Sequence, residues 1–123
     1  MPSQSRKHRG YEAQRIVAAY LRERGWMYAQ PTGAGRAGAD ILGVLDLDIE
    51  VKARRGFDPL AALRQQADRA DGRLPLAILR MDGQGEASIA DWPVVIRLGL
   101  LIPVLHAAGY GDPTSTTTTR SAP

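Results

Sequence analysis

The chain has no cysteine and no long apolar run among its 123 residues. The lack of cysteine excludes disulfide bonds and thiolate zinc sites. It fits a reducing compartment, so we expect a cytoplasmic location. The longest apolar segment, residues 94–105, contains Arg97 and Pro103, and it is shorter than the roughly 18 residues that a membrane-spanning helix needs. We therefore expect no membrane partner.

Lysine and aromatic residues are also scarce. All but two of the 16 basic residues are Arg, and one of the exceptions, Lys52, lies inside an alternating segment. Arg is permanently charged, whereas the surroundings of a Lys can change its pKa. Lys52 is therefore either a catalytic amine or a chance Lys on an exposed strand face. The few aromatic residues argue against stacking on single-stranded nucleic acid, while the net charge of +3 fits a polyanionic partner.

The hydrophobic pattern predicts one folded domain over residues 10–109. Residues 1–9 are polar and basic, and we expect a flexible basic arm there. Residues 110–123, which include a run of Thr, are predicted to form a disordered low-complexity tail because they cannot bury apolar area. The apolar segment 94–105 is either an ordinary core element or part of a subunit interface.

Helices and strands alternate along the predicted domain. Apolar residues at helical spacing predict a first helix over residues 10–24, and Asp58-Pro59 predicts the start of a second that runs to about residue 70. A final helix is expected after Pro93. Strands are predicted at residues 26–30, 39–44, 47–53, 74–81 and 86–90, with a hairpin turn between the last two. This order indicates an α/β domain with a central mixed β-sheet flanked by helices.

The segment Leu47–Ala53 alternates strictly between apolar and polar residues. In a strand, its apolar residues share one face, which can enter a core, and Asp48, Glu50 and Lys52 share the other. Asp40 lies upstream, at the end of a glycine-rich loop over residues 32–38. An acidic residue, a short spacer and Glu-x-Lys on a strand indicate a metal-and-lysine site that cuts phosphodiesters.

The chemistry of such a site assigns a role to each residue. Asp40 and Glu50, with the backbone carbonyl of Val51, are candidate ligands of Mg²⁺, which prefers oxygen donors; Mn²⁺ can substitute. Lys52 is the candidate group that orients or activates the attacking water, or that pairs with the phosphate. Glu12, near the start of the first helix, is a candidate third acid. Its alternative role is a stabilising charge near a helix N-terminus.

Binding DNA also requires positive charge around the site. The candidates are Arg6, Lys7 and Arg9 in the basic arm, Arg36 in the glycine-rich loop, and Arg54 and Arg55 directly after Lys52. These residues would neutralise backbone phosphates without reading bases. The alternative is that they only make the surface soluble.

Three motifs in order, Arg9-Gly10-Tyr11-Glu12, the segment from Gly35 to Ile41, and Ile49-Glu50-Val51-Lys52, resemble the PD-(D/E)xK nuclease superfamily. The closest likeness is to the archaeal-type Holliday junction resolvases, and it covers residues 6–81. The resemblance implies a restriction-endonuclease-like fold. It makes Asp40 and Glu50 metal ligands, Lys52 the catalytic lysine and Glu12 a supporting acid. It also suggests a supporting glutamine on the next helix, either Gln65 or Gln66. The chain departs from the motif by having Ala39 where the name-giving proline would stand.

The resemblance implies a Mg²⁺-dependent, structure-selective endonuclease that resolves four-way DNA junctions as a homodimer. A two-fold dimer would present two sites for symmetric nicks. Three alternatives stand beside it. One is another nuclease of the superfamily, acting on branched or duplex DNA as a nicking, restriction-like or end-processing enzyme. The others are a non-catalytic DNA-binding module of the same fold and a generic α/β protein with a chance motif.

Overall fold

The computed structural model describes residues 2–33, 39–53, 58–67 and 71–112, with side chains described from residue 9 onward apart from that of Pro59. The elements in these ranges are α1 (Pro2–Arg22), β1 (Gln30–Pro31), β2 (Ile41–Leu42), β3 (Leu47–Lys52), α2 (Pro59–Ala67), β4 (Leu74–Leu79), a 3-10 helix (Glu86–Asp91), β5 (Val94–Val95) and α3 (Leu98–Ala107). They form a small α/β domain with a mixed sheet and helices, which confirms the predicted class.

The main sheet has the strand order β3-β4-β5. β3 and β4 are parallel and pair from Leu47 opposite Leu74 to Lys52 opposite Leu79, whereas β5 is antiparallel to β4. A parallel pair needs a long crossover connection, which here contains α2. The carboxyl ends of β3 and β4 therefore lie side by side, and Lys52 is at that end.

The sheet packs against helices on both faces. Ile16 and Val17 of α1 join Ile49 and Val51 of β3 in the larger apolar core. A smaller core forms on the other side and contains Ala62 of α2 together with Ala77 and Leu79 of β4.

Strand β3 is consequently buried on both faces. Its alternation predicts that only the apolar face enters a core, yet Asp48 and Glu50 on the polar face are 0% and 5% exposed. The alternative that Lys52 lies on an exposed strand face is therefore wrong for this strand. Its polar face is covered, because Gln66 of α2 packs on Asp48. Parallel strands are characteristically buried in this way.

The edge of β3 opposite β4 is covered by the segment that leads into β2. The backbone N–H of Asp40 donates to the carbonyl of Ile49 (2.9 Å), so Asp40 lies directly beside β3. β2 then pairs with β1. Gly43 follows with a φ of +79°, and a Cβ there would lie 2.0 Å from the carbonyl oxygen of Tyr28. Only glycine fits this close approach.

Several predicted boundaries differ from the structure. α1 begins at Pro2 and not at Gly10, so the backbone of residues 2–9 is part of the helix. The separate role of this basic segment as a flexible arm stays a prediction. The predicted strand over residues 86–90 is wrong, because Ser88 and the indole N–H of Trp92 both bond to Gly85 and hold this segment in a 3-10 helix. β4 instead pairs with Val94–Val95.

The C-terminal part of the chain differs in burial from the rest. α3 has no buried residue, and it exposes Leu98, Leu100, Ile102 and Val104. The predicted disordered tail falls outside the described residues from position 113 onward. No helix in the described ranges is long and apolar enough to cross a membrane. The cytoplasmic location stays a prediction.

Candidate active site

Asp40 is held against the carboxyl half of β3 by two backbone contacts. Its own N–H donates to Ile49, and its Oδ2 accepts a hydrogen bond of 2.7 Å from the backbone N–H of Val51. The side chain thus takes the place of a neighbouring strand. As a result, its carboxylate lies next to the polar side chains at the end of β3.

The loop before Asp40 is closed by side chains of its neighbours. The hydroxyl of Thr32 donates to the carbonyl of Ala39 (2.6 Å), and the backbone N–H of Gly33 donates to Oε1 of Gln14 (3.2 Å). Gln14 is buried in α1. These bonds tie the two ends of the glycine-rich loop to each other and to α1, which fixes the position of Asp40. The sequence analysis overlooked Gln14, whose only signal is a polar residue beside the apolar stripe of α1.

Asp40 and Glu50 form a close carboxylate pair. Burial, the charge of Glu50 and a hydrogen bond with Glu50 together raise the pKa of Asp40 from 3.8 to about 6, and burial is the largest of these causes. The Val51 N–H and the charge of Lys52 act in the opposite direction. Two carboxylates that share a desolvated position in this way resist carrying two negative charges.

Lys52 completes the cluster from the same strand face as Glu50. Its Nζ lies 3.7 Å from Oε2 of Glu50, and its side chain is 22% exposed. The strand period places these two residues on one side. Three of the four predicted catalytic residues, Asp40, Glu50 and Lys52, are therefore brought together, with the amine at the solvent-facing end.

Glu12, the fourth predicted residue, is held by a residue that the sequence analysis overlooked. Its Oε1 accepts a hydrogen bond of 2.7 Å from Nη1 of Arg80. Among the residues that the structure describes, no group of three or more Asp, Glu, His or Cys side chains is arranged to hold a metal ion. The predicted three-acid set is thus not assembled here, and Asp40 and Glu50 stand as a two-carboxylate pair.

Arg80 follows β4 directly and lies beside Lys52. Its backbone N–H donates to the carbonyl of Lys52 (2.7 Å), which brings its side chain to the edge of the sheet where β3 ends. The sequence contained one indication of it, because Arg80 is a charged residue at the end of an apolar strand. The carboxyl ends of parallel strands meet at one edge of a sheet, where ligands bind. A parallel pairing of β3 with β4 would have identified Arg80.

The two candidate glutamines have different environments. Gln65 is exposed, whereas Gln66 is fully buried. The Nε2 of Gln66 donates to the carbonyls of Asp48 and Leu76, each at 2.8 Å, and so bridges β3 and β4. Gln66 is therefore the glutamine that faces the sheet. Its described contacts are with the start of β3 and with Leu76 of β4. Its supporting role at the site stays a prediction.

The candidate DNA-binding residues are described only in part. Arg9 is exposed, and it lines a cleft of about 140 Å³ together with Ala53, Arg80 and the turn at residues 81–84. Arg6 and Lys7 lie in α1, without described side chains. Arg36, Arg54 and Arg55 lie outside the described residues.

The donor set fits a hard divalent cation. Asp40 and Glu50 offer carboxylate oxygens, which Mg²⁺ prefers, and Mg²⁺ commonly keeps several waters with only one or two carboxylates as protein ligands. Burial and, to a lesser extent, the charge of Glu50 raise the pKa of Asp40, and a bound cation would offset both effects. The residues that would hold the ion are Asp40, Glu50 and the carbonyl of Val51.

Comparisons with known proteins add no relative to this geometry. No protein-family model matches the chain, and searches of curated proteins and of solved structures find no significant match. The functional argument therefore depends on the cluster at the end of β3 and on the contacts of its residues.

Proposed function

We propose that this chain is a Mg²⁺-dependent, structure-selective DNA endonuclease of restriction-endonuclease-like fold, acting as a Holliday junction resolvase. The observation that carries the proposal is the convergence of Asp40, Glu50 and Lys52 at the carboxyl end of β3. Asp40 is fixed there by the Val51 N–H at 2.7 Å, and Lys52 lies 3.7 Å from Glu50. Two desolvated acids with an adjacent amine are the groups that phosphodiester hydrolysis needs.

Each residue has a defined task in the proposed reaction. Mg²⁺, when bound, supplies charge neutralisation and positions the phosphate. Asp40 and Glu50 hold it, and in doing so the two carboxylates lose their mutual repulsion. Lys52 orients the attacking water and donates hydrogen bonds to a phosphate oxygen as negative charge develops there. The Lys52 side chain is more accessible to solvent than that of Glu50, at 22% against 6% exposed.

A homodimer is part of the proposal. α3 exposes four large apolar side chains and buries none, and such apolar faces are usually covered by a partner. A second copy of the chain would cover α3 and, through the two-fold axis, present a second active site for the opposite strand. Sedimentation or light scattering at micromolar concentration tests the dimer, and a Leu98→Glu variant should shift it to the monomer.

Cleavage of defined DNA substrates tests the function. The wild-type chain is incubated with a four-way junction and with linear duplexes of the same sequence, with Mg²⁺ and with EDTA. We expect nicks in the junction in the presence of Mg²⁺ only, and loss of cutting with retained binding in Asp40→Asn and Lys52→Ala. The control is Arg15→Gln, which removes the α1 partner of the exposed Arg15–Glu86 ion pair. This variant should cut normally.

Other results of the same assay separate the remaining candidates. Equal cutting of junction and duplex would identify another nuclease of this type. Binding without any metal-dependent cutting would identify a DNA-binding module, a role favoured by the two-acid rather than three-acid cluster in the described residues. Absence of both binding and cutting would refute the DNA-directed function.

A further inference from the structure

Arg80 is oriented independently of its ion pair with Glu12. Its backbone N–H bonds to Lys52, its Nε donates to the carbonyl of Gln84 at 2.9 Å, and its guanidinium lies 5.6 Å from the ring centre of Trp92. Two side-chain contacts, together with the backbone hydrogen bond, therefore position Arg80 without the carboxylate. If Glu12 turned away, Arg80 would keep its position and direction.

The cleft that Arg80 lines is suited to an anion. It is lined by Arg9 from α1, by Arg80 and by the turn after β4, so that two guanidinium groups outnumber the single carboxylate of Asp82. Its volume of about 140 Å³ is well above the roughly 10–15 Å³ needed to seat one water molecule. Ala53 at its wall directly follows Lys52, so the cleft adjoins the candidate active site. Arg guanidinium groups bind phosphates in a forked geometry.

The Glu12 side chain is the more exposed partner of the pair. It is 38% exposed, against 17% for Arg80, so a ligand anion can reach Arg80 only in competition with a carboxylate that is itself accessible to water. A phosphate and the carboxylate bear the same sign of charge and bind the same donor. Entry of one into the cleft therefore favours displacement of the other.

We propose that Arg80 exchanges the Glu12 carboxylate for a backbone phosphate of the DNA, which binds in the cleft between Arg9 and Arg80 beside the scissile position. The inference rests on the proposed function and deepens it. The exchange releases the Glu12 carboxylate from Arg80 only when DNA is bound. Before that, Glu12 pairs with Arg80, and among the described residues no three acids are grouped to hold a metal ion; once released from Arg80, Glu12 becomes available to the site as a third acid.

Binding measurements without cleavage test the exchange. Anisotropy of a fluorescein-labelled four-way junction and of a labelled duplex is recorded in EDTA over a series of salt concentrations. We expect Glu12→Gln to tighten binding about fivefold, because Arg80 no longer holds a carboxylate. Arg80→Gln should weaken binding and lower the slope of log affinity against log salt by about 0.9, the value for one lost phosphate contact on duplex DNA.

The double variant gives the decisive comparison. If the exchange occurs, Glu12→Gln has no effect in the Arg80→Gln background, since its gain requires Arg80. Glu86→Gln is the matched control: it removes a carboxylate from the exposed Arg15–Glu86 pair on the same side of α1 and should change affinity less than twofold. A Glu12→Gln gain that persists without Arg80, or that equals the Glu86→Gln effect, would overturn the exchange.

The outcomes separate the exchange from the proposed function. If the junction is cut but the effects of Glu12→Gln and Arg80→Gln on binding affinity are additive, the exchange is refuted and the nuclease function is retained. The expected double-variant result without any Mg²⁺-dependent cutting would keep the exchange and remove the nuclease. Absence of DNA binding by the folded wild-type chain would overturn both. If Arg80→Gln does not fold, the comparison of Glu12→Gln with Glu86→Gln decides alone.

Discussion

Two acids, one at the start of β3 and one beside its end, have contrasting surroundings. Asp48, at the start of β3, is fully buried, and its oxygens lie 3.3 Å from Nε2 of Gln66 and 3.5 Å from Nη2 of Arg73. Asp40, beside the end of β3, has a second carboxylate as its neighbour. The first acid is compensated by donors and a cation, whereas at the second the Val51 N–H and the charge of Lys52 do not outweigh burial and the like charge of Glu50.

The contrast fits a structural role for Asp48 and the proposed functional role for Asp40. A buried carboxylate with complementary partners stabilises a fold or at least does not weaken it. A buried carboxylate with a raised pKa is maintained at a cost to stability, and such groups concentrate at functional sites. This difference predicts opposite consequences of substitution at the two ends of β3.

The largest effect is expected for Lys52, the cation nearest the repelled pair. Lys52→Met keeps the length of the side chain but removes its charge, and we expect the rate of DNA cleavage to fall by about 100-fold or more, because water orientation and charge stabilisation are lost. DNA binding should change only a few-fold. Single-turnover cleavage of a labelled junction measures the first effect, and anisotropy the second. A rate within threefold of the wild type would remove Lys52 from the reaction.

At the other end of the strand, Asp48→Ala should destabilise the fold. It removes one of the three acceptors of the buried Gln66 amide and the carboxylate that pairs with the partly buried Arg73, and we expect a loss of about 2–4 kcal/mol in the free energy of unfolding. Urea denaturation measures it. Glu23→Ala, at an exposed acid directly after α1, is the control and should stay within about 0.5 kcal/mol. An equally small change for Asp48→Ala would show that its partners contribute little.

The adjacent glutamines of α2 offer a matched pair of smaller effect. Gln66→Ala removes the donor that bridges the carbonyls of β3 and β4, and we expect a loss of about 1–3 kcal/mol. Gln65→Ala, on the exposed side of the same helix, should fall within about 0.5 kcal/mol. The same urea assay measures both. Equal losses would mean that Gln66 does not hold the two strands together.

The smallest effect is expected for Asp40→Asn, and it has the opposite sign. Burial and Glu50 raise the pKa of Asp40 from 3.8 to about 6. Between these pH values the unfolded chain releases the proton while the folded chain keeps it, so wild-type stability falls as pH rises from about 4 to about 6. The Asn side chain retains an acceptor for the Val51 N–H but does not ionise, so the variant does not lose stability over this pH range.

We therefore expect Asp40→Asn to be more stable than the wild type at pH 7.5, by about 1–2 kcal/mol because solvent screens this partly exposed carboxyl. Near pH 4 the two proteins should have the same stability. Thermal unfolding without divalent cations, at both pH values, measures the difference. A variant less stable than the wild type at pH 7.5 would contradict the repulsion between Asp40 and Glu50.

The secondary structure was predictable wherever one local pattern dominates. Alternation over residues 47–53 predicted β3, and Asp58-Pro59 predicted the start of α2, since both signals depend only on neighbouring residues. The segment over residues 86–90 was mispredicted as a strand. The contacts that shape it involve Gly85 and the side chain of Trp92, which a strand pattern does not reveal.

The candidate site was predictable to a similar extent. Glu-x-Lys on one strand face follows from the strand period, so Glu50 and Lys52 could be paired from the sequence. That Asp40 joins them depends on its hydrogen bond with Val51, which crosses between two segments of the chain. Arg80 was missed because its proximity to Lys52 and Glu12 comes from the parallel pairing of β3 with β4.

The sequence by itself determined which residues are the candidates for the chemistry: a single Lys in a strand of an Arg-rich chain, a carboxylate two positions before it, and an acid after a glycine-rich loop. These features are local, because side-chain type and strand period require no knowledge of distant contacts. The tertiary structure alone decided which acids meet, since burial and strand pairing act between residues far apart in the chain. It joined Asp40 to Glu50, and it placed Arg80 against Glu12.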